Sequence, residues 1–383
     1  MKTNLKKLLY SGVTLMSLGV LAACSSTSSS TTTSSSVTTS QSSTTSSNST
    51  SSDSSSSSID WSALPTTEVT LSNDGLKITE GGTYILTGST TAGVTIETDA
   101  YVRIILAGAD ISSSDNAAIN VIKADNVELE IKDGTSNTVK DTSSHSDTNI
   151  EGAIHVEADL TITGNGNLTV EGNFQDGIVS TDDLVINAGN ITVTAVDDGI
   201  RGKDSLTING GTINVTAGGD GIKSTNDTDT TKGYTTITGG EITVKAGDDG
   251  IKAETALTID GGTITVSESL EALEGTNITI NGGTLDVYGS DDAINAASTT
   301  LSDIFIKVTG GDLKVAVGSG DTDAFDANGD IYISGGTIDV TAPTSAFDFD
   351  GTVEFTGGTV TVNGEQITQI TATGPGAGGH GGW

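Results

Sequence analysis

A chain of 383 residues with a formal charge of −34, one cysteine and three histidines excludes several classes at once. The charge opposes nucleic acid and anionic lipid headgroups as partners. The lone thiol excludes a disulfide framework, and no His/Cys set exists for zinc.

The first segment, 1–23, carries Lys2, Lys6 and Lys7 and then an apolar run from Leu8 to Ala23, which reads as an export signal rather than a membrane span. It ends in Leu21-Ala22-Ala23-Cys24, a pattern that resembles a bacterial lipobox. The resemblance implies cleavage before Cys24, a diacylglyceryl anchor on its sulfur, and a place on the outer face of the cell membrane. Two acyl chains suffice for stable anchoring. Cys24 opens the next segment, 24–58, in which 30 of the 34 residues after it are Ser or Thr. Such a composition forms no core. It reads as a tether spanning roughly 30 Å as a flexible coil and about 110 Å when stretched.

Residues 59–160 show strand-like runs without clean register, such as Val102 to Leu106 and Val127 to Ile131. They are expected to form a cap and irregular first rungs, continuous with the repeats on their C-terminal side, because a solenoid needs its open end covered.

From 161 to 370 the chain repeats itself. A Gly-Gly-Thr phrase is marked by Gly166, Gly189, Gly211, Gly240, Gly262, Gly283, Gly311, Gly336 and Gly358, at spacings of 23, 22, 29, 22, 21, 28, 25 and 22. Around each mark the apolar residues alternate, as in Leu206/Ile208 before Gly211 and Ile213/Val215 after it, which is a strand signal. A third apolar position falls in a second phrase, Asp-Gly-Ile: Ile178, Ile200, Ile222, Ile251, Leu273, Ile294, Phe325 and Phe347. Each period is thus three short strands that cannot bury their apolar faces alone, so periods must stack. The prediction is an all-β, right-handed parallel β-helix of about 22-residue, three-strand rungs, right-handed because parallel crossovers are. The long steps mark insertions such as Asn226 to Gly233, and residues 371–383 form a Gly-rich tail expected to be disordered.

The second phrase also stacks acids: Asp176, Asp197-Asp198, Asp220, Asp248-Asp249, Glu271, Asp291-Asp292 and Asp323. Carboxylates about 4.8 Å apart repel by roughly 1 kcal/mol in water and roughly 3.5 kcal/mol at an effective dielectric of 20. Relief comes from raised pKa values, protein cations or bound metal. Arg201, Lys223 and Lys252 follow the repeated Ile on three rungs, with Lys203 nearby, too few to balance the column. Ca²⁺, a ligand of many oxygens in loose geometry, fits Asp176, Asp197, Asp198, Asp220, Asp248 and Asp249, and Asp227 and Asp229 of the insertion form a second oxygen-rich candidate. The alternative is that these acids are turn formers accepting backbone N–H bonds.

The phrases Val196-Asp197-Asp198-Gly199-Ile200-Arg201-Gly202-Lys203, Gly219-Asp220-Gly221-Ile222-Lys223 and Gly247-Asp248-Asp249-Gly250-Ile251-Lys252, with the lipobox, resemble the bacterial cell-surface carbohydrate-binding β-helix lipoproteins, which are similar to family-nine polysaccharide (pectate) lyases. The resemblance covers roughly residues 70–365. It implies a Ca²⁺-binding β-helix that takes acidic or plant-type polysaccharide, with Arg201, Lys203, Lys223 and Lys252 facing the glycan. A lyase would add an unprotonated base near the ion, drawn from Lys203, Lys223 or Lys252. Carboxylate neighbours raise a lysine's pKa, so a salt-bridge ladder without catalysis is the leading expectation. A structural adhesin or spacer is the third reading. The expected state is a monomer. Only 14 aromatics occur, and Phe174, Tyr234, Tyr288 and Tyr332 are those expected at the surface.

Overall fold

Alternating apolar residues, each flanked by Thr or Asn, give strands whose one face is dry and whose other face is wet. The computed structural model describes residues 59–320 and 322–372; the predicted signal, Cys24, the tether and most of the tail lie outside them. Within that span the strands build three parallel ladders, so that each turn of chain adds one rung to each.

The first ladder runs through Leu160–Thr163, Asp183–Ile186, Ser205–Ile208 and Tyr234–Ile237 to Val353–Phe355. The second runs through Asn167–Gly172, Asn190–Ala195, Thr212–Ala217 and Glu241–Lys245 to Thr359–Val362. The third contains Asp176–Ser180, Ile200–Gly202, Ile222–Ser224 and Ile294–Ala296 and ends at Ser345–Phe349. Every inter-rung pairing is parallel until the end, where Glu365–Ile367 folds back antiparallel on Thr359–Val362. The protein is therefore an all-β parallel β-helix. Its ladders continue without a break into the earlier segment, through Val127–Ile131, Ser136–Lys140 and Gly152–Val156 and back to Thr66–Leu71. That segment stays on the ladders with two register shifts, between Leu86 and Gly88 and between Ile96 and Glu97, and it carries the Gly-Gly-Thr phrase once, at Gly81-Gly82-Thr83.

Each rung sends about five side chains inward, and the stacked columns Ile191, Ile213, Ile242, Ile264 and Ile178, Ile200, Ile222, Ile251 are sealed from water. Full burial of one such aliphatic contributes about 1.5–3 kcal/mol. Phe325 and Phe347 take the place of Ile on two late rungs and stack at 5.1 Å between centroids inside the core. The corner between first and second ladders is made by the second glycine of each phrase, from Gly189 (φ 123°) and Gly211 (φ 100°) to Gly358 (φ 85°), a backbone state that a Cβ disfavours. The corner between second and third ladders is where the acids stand.

Candidate functional site

The Asp-Gly-Ile corner is built by one repeated device. The Oδ1 of each buried Asp accepts the backbone N–H of the Asp one rung on: Asp198 to Asp176 at 3.1 Å, Asp220 to Asp198 at 3.0 Å and Asp249 to Asp220 at 2.9 Å. The same bond joins Asp323 to Asp292 at 2.8 Å. The glycine that follows is required by space. A Cβ on Gly199 would stand 2.3 Å from Val215 Cγ1 and 2.5 Å from the Gly221 carbonyl oxygen.

The other carboxylate oxygen of Asp176, Asp198, Asp220 and Asp249 faces a cation. The residue after the repeated Ile points outward, so register forms a column His155, Val179, Arg201, Lys223, Lys252, Glu274, Asn295, Asp326 and Asp348. Arg201 pairs with Asp176 at 3.1 Å and also with Glu151. Lys223 bridges Asp198 at 2.5 Å and Asp220 at 2.9 Å. Lys252 reaches Asp249 at 2.8 Å and also Glu274. Burial works to lower the pKa of Lys223 and Lys252, yet the facing carboxylates outweigh it and hold both above the ordinary lysine value. Such ammonium groups keep their protons at neutral pH and cannot accept another. Lys203 is exposed and forms no salt bridge among the described residues.

Asp197 and Asp248 are exposed on the outer side of this corner. Burial and then the neighbouring Asp198 or Asp249 raise their pKa values. Asp220, Asp248 and Asp249 bring one oxygen each to within 4.8 Å of one another, as do Asp249, Glu271 and Glu274. Burial pushes Asp176, Asp249 and Glu271 up to about 7, against the pull of Arg201, of Lys252, and of the Asn295 amide respectively. Asp326 is likewise pushed up to about 7, by burial and then by Asp292, Asp323, Asp348 and Glu271.

A hard divalent cation fits this chemistry best at the later rungs. After Lys252 the outward column holds no Lys or Arg, and Glu271 Oε2 and Asn295 Oδ1 are buried oxygens with no hydrogen-bond donor. These are oxygen ligands of the kind Ca²⁺ takes. The first triad could also hold an ion; Lys252 supplies charge to both triads, through Asp249 and Glu274, whereas Lys223 serves the first alone and Glu271 of the second has no salt bridge among the described residues.

The two long steps of the repeat now acquire a purpose. The insertions Asn226–Gly233 and 297–304 leave the same corner, after the third ladder, three rungs apart. They wall a cleft of about 380 Å³ whose floor includes Lys252, Glu254, Glu274 and Thr276 and whose walls include Asp227, Asp229, Ser298 and Leu301. Asp227 and Asp229 are exposed there, far from the buried Asp column in role: Asp229 Oδ1 accepts from Thr231 N at 3.0 Å and from Thr231 Oγ1 at 2.7 Å, which lowers its pKa. The second wall has no acidic signature before Asp303, and only the 28-residue spacing marks it in the sequence.

Aromatics are dispersed. Tyr234 and Tyr288 are exposed, and Phe174 stacks on His145 at 4.3 Å beside the buried Asp141–His145 pair. Tyr332 lies edge-on to Phe305 at 6.2 Å on the outer face of the first ladder.

Residues 72–324 match the pattern shared by carbohydrate-binding domain-containing proteins. The chain belongs to this family. A carbohydrate-binding domain-containing protein of Acetivibrio thermocellus is 35% identical over 135 residues, 33% of this chain and 47% of that protein. The chain thus spans about half the length of the curated relative it matches. A polysaccharide lyase-like protein from C. thermocellum, solved as a gadolinium derivative, superposes with a TM-score of 0.53 at 32% identity. That superposition covers 57% of this chain and 95% of the other. The family match ends at Asp323-Ala324 and so includes both insertions and the whole acid column.

Proposed function

We propose that this family member is a non-catalytic carbohydrate-binding protein that takes an acidic polysaccharide in the cleft between its two insertions, with Ca²⁺ as the bridge. The observation that carries the reading is the cleft itself, a polar trough bounded by the two longest insertions, whose floor includes Glu274 of the Asp249–Glu271–Glu274 triad. An acidic glycan facing Glu254, Glu274, Asp227 and Asp229 would be repelled without a cation. Ca²⁺ held by Glu271, Glu274, Asn295 and Asp249 would supply positive charge beside the floor, which it would meet through Glu274, while Lys252 supplies a fixed ammonium. Around this, Ser298 and Thr300 offer hydroxyls suited to sugar hydroxyls.

Export and lipidation at Cys24 would place the binding face beyond the membrane, at the end of the Ser/Thr tether. Cys24→Ala should release the protein into the medium and abolish labelling by a radioactive fatty acid.

The test of the binding reading is a polysaccharide array probed with Ca²⁺ and with chelator. Polygalacturonate or a similar polyanion should retain the protein only with Ca²⁺, and absence of retention under both conditions would refute it. The polysaccharide lyase-like neighbour favours one second reading, a lyase using Lys203, the candidate base that stands outside the salt-bridge ladder. Ultraviolet absorbance of an unsaturated product would reveal it, and the binding reading predicts none.

A further inference from the structure

On the other side of the 226–233 insertion lies a second cavity, of about 170 Å³, lined by His155, Val179, Arg201, Lys203 and two acids, Glu151 and Glu157, among others. Its origin is legible in the outward column. His155 and Arg201 are two rungs apart, so their backbones are separated by roughly 9.6 Å, and between them the column holds only the short Val179. A notch results between two nitrogen-bearing side chains.

Both of those side chains carry a polar atom that the protein leaves unanswered. His155 is 3% exposed, and its Nδ1 has no hydrogen-bond partner. The Arg201 Nε is also buried without a partner, although its Nη2 is engaged by Asp176 and Glu151. A buried polar atom without a partner costs about 1–3 kcal/mol. Two of them lining one cavity is the arrangement expected where a ligand completes the bonding. Burial and then the Arg201 charge push the His155 pKa down to about 4, so the ring is a neutral donor and acceptor at working pH. The exposed Lys203 adds an ammonium to the lining; of its two acids, Glu151 is paired with Arg201, which it shares with Asp176, and Glu157 is exposed to solvent.

We propose that this cavity binds the carboxylate of a single uronic-acid residue, with Arg201 Nε–H, His155 N–H and the Lys203 ammonium as its three donors. The proposal rests on the reading that the ligand is an acidic glycan, but it needs neither Ca²⁺ nor the cleft. Charge-assisted donors of this kind are about twice as strong as neutral ones. A guanidinium plus an imidazole discriminates a carboxylate from its ester because only the former offers two charged oxygens.

The experiment uses the full chain with ¹⁵N-labelled histidine, in chelator, with the His155 ring signals assigned in the intact protein by through-bond correlation. Galacturonate should shift the His155 nitrogens saturably, while galactose and the methyl ester of galacturonate leave them in place. Lys203→Gln, an exposed substitution that spares the core, should weaken that binding by about tenfold. Signals that stay fixed throughout the galacturonate titration, or that move equally with the ester, would overturn the proposal. Because Ca²⁺ is absent, a shift seen here together with no Ca²⁺-dependent retention of polysaccharide would uphold this site and refute the cleft.

Discussion

Between Asp176 and Lys252 each buried acid of the third-ladder corner is answered by a cation one column away, whereas between Glu271 and Asp348 the same outward positions hold Glu274, Asn295, Asp326 and Asp348. The backbone hardly registers the change, since carboxylate-to-amide bonds of about the same length join Asp198 to Asp176 and Asp323 to Asp292. The two faces of one repeat therefore carry different constraints. The inward Ile column and the Asp Oδ1 bonds hold the stack, and the outward column is left to vary. In the first stretch it closes the electrostatics internally, and in the second it leaves charge for something else to balance.

The corner glycine gives the sharpest way to test that division. Gly177, Gly199, Gly221 and Gly250 occupy the position that Ala272, Ala293, Ala324 and Ala346 fill on later rungs. Gly199→Ala drives a Cβ against Val215 and the Gly221 carbonyl and should cost about 3 kcal/mol in denaturant unfolding. Ala272→Gly removes a buried methyl and should cost only about 1 kcal/mol. Equal costs would mean that the two stretches do not differ in packing at this corner.

Next in size is the loss of a bridging cation. Lys223→Met leaves Asp198 and Asp220 stacked without their counter-charge and should cost about 2 kcal/mol at neutral pH, reduced from the fully buried case by the partial exposure of the ammonium. Asn295→Asp, on the acid-rich stretch, should be destabilising in chelator and close to neutral in Ca²⁺. Insensitivity of Asn295→Asp to the cation would break the contrast.

The pH dependence is smaller and its sign is fixed. Asp176, Asp249, Glu271 and Asp326 have folded pKa values raised to about 7, so their protonated forms favour the folded state and stability falls as pH rises from about 4 to about 7. His155, lowered to about 4, acts oppositely, losing stability as pH falls from about 6.5 to about 4. Four groups outweigh one, so in chelator the melting temperature should be higher near pH 5 than near pH 8. Added Ca²⁺ should recover several degrees near pH 8 and little near pH 5. Glu271→Gln should shrink that recovery.

The fold was legible because the repeat states it many times over: the columns Ile191 to Ile264 and Ile178 to Ile251 appear as fixed offsets from the glycine marks, and the structure seals them all. Lys223 and Lys252 were legible as members of a salt-bridge ladder for the same reason. The cleft was not, because it forms between insertions more than sixty residues apart in sequence, and the second of them lacks charge until Asp303. The paired acids are densest from Asp176 to Asp249, where cations already stand, whereas Glu271 and Asn295 are distinguished only by the lack of Lys or Arg in the outward column after Lys252, which no motif marks. His155 was invisible for a related reason: a single histidine has no pattern, and only register shows that Val179 leaves a notch between it and Arg201.

The contrast between the two stretches is tested most directly by Ca²⁺-dependent retention on immobilised polygalacturonate, measured for the intact chain, for Lys223→Gln and for the double substitution Glu271→Gln with Glu274→Gln. The intact chain and Lys223→Gln should be retained about tenfold more strongly in Ca²⁺ than in chelator, and the double substitution should lose this difference while remaining folded. Retention that the double substitution leaves unchanged, or that Lys223→Gln abolishes instead, would contradict a Ca²⁺-bridged site on the later rungs.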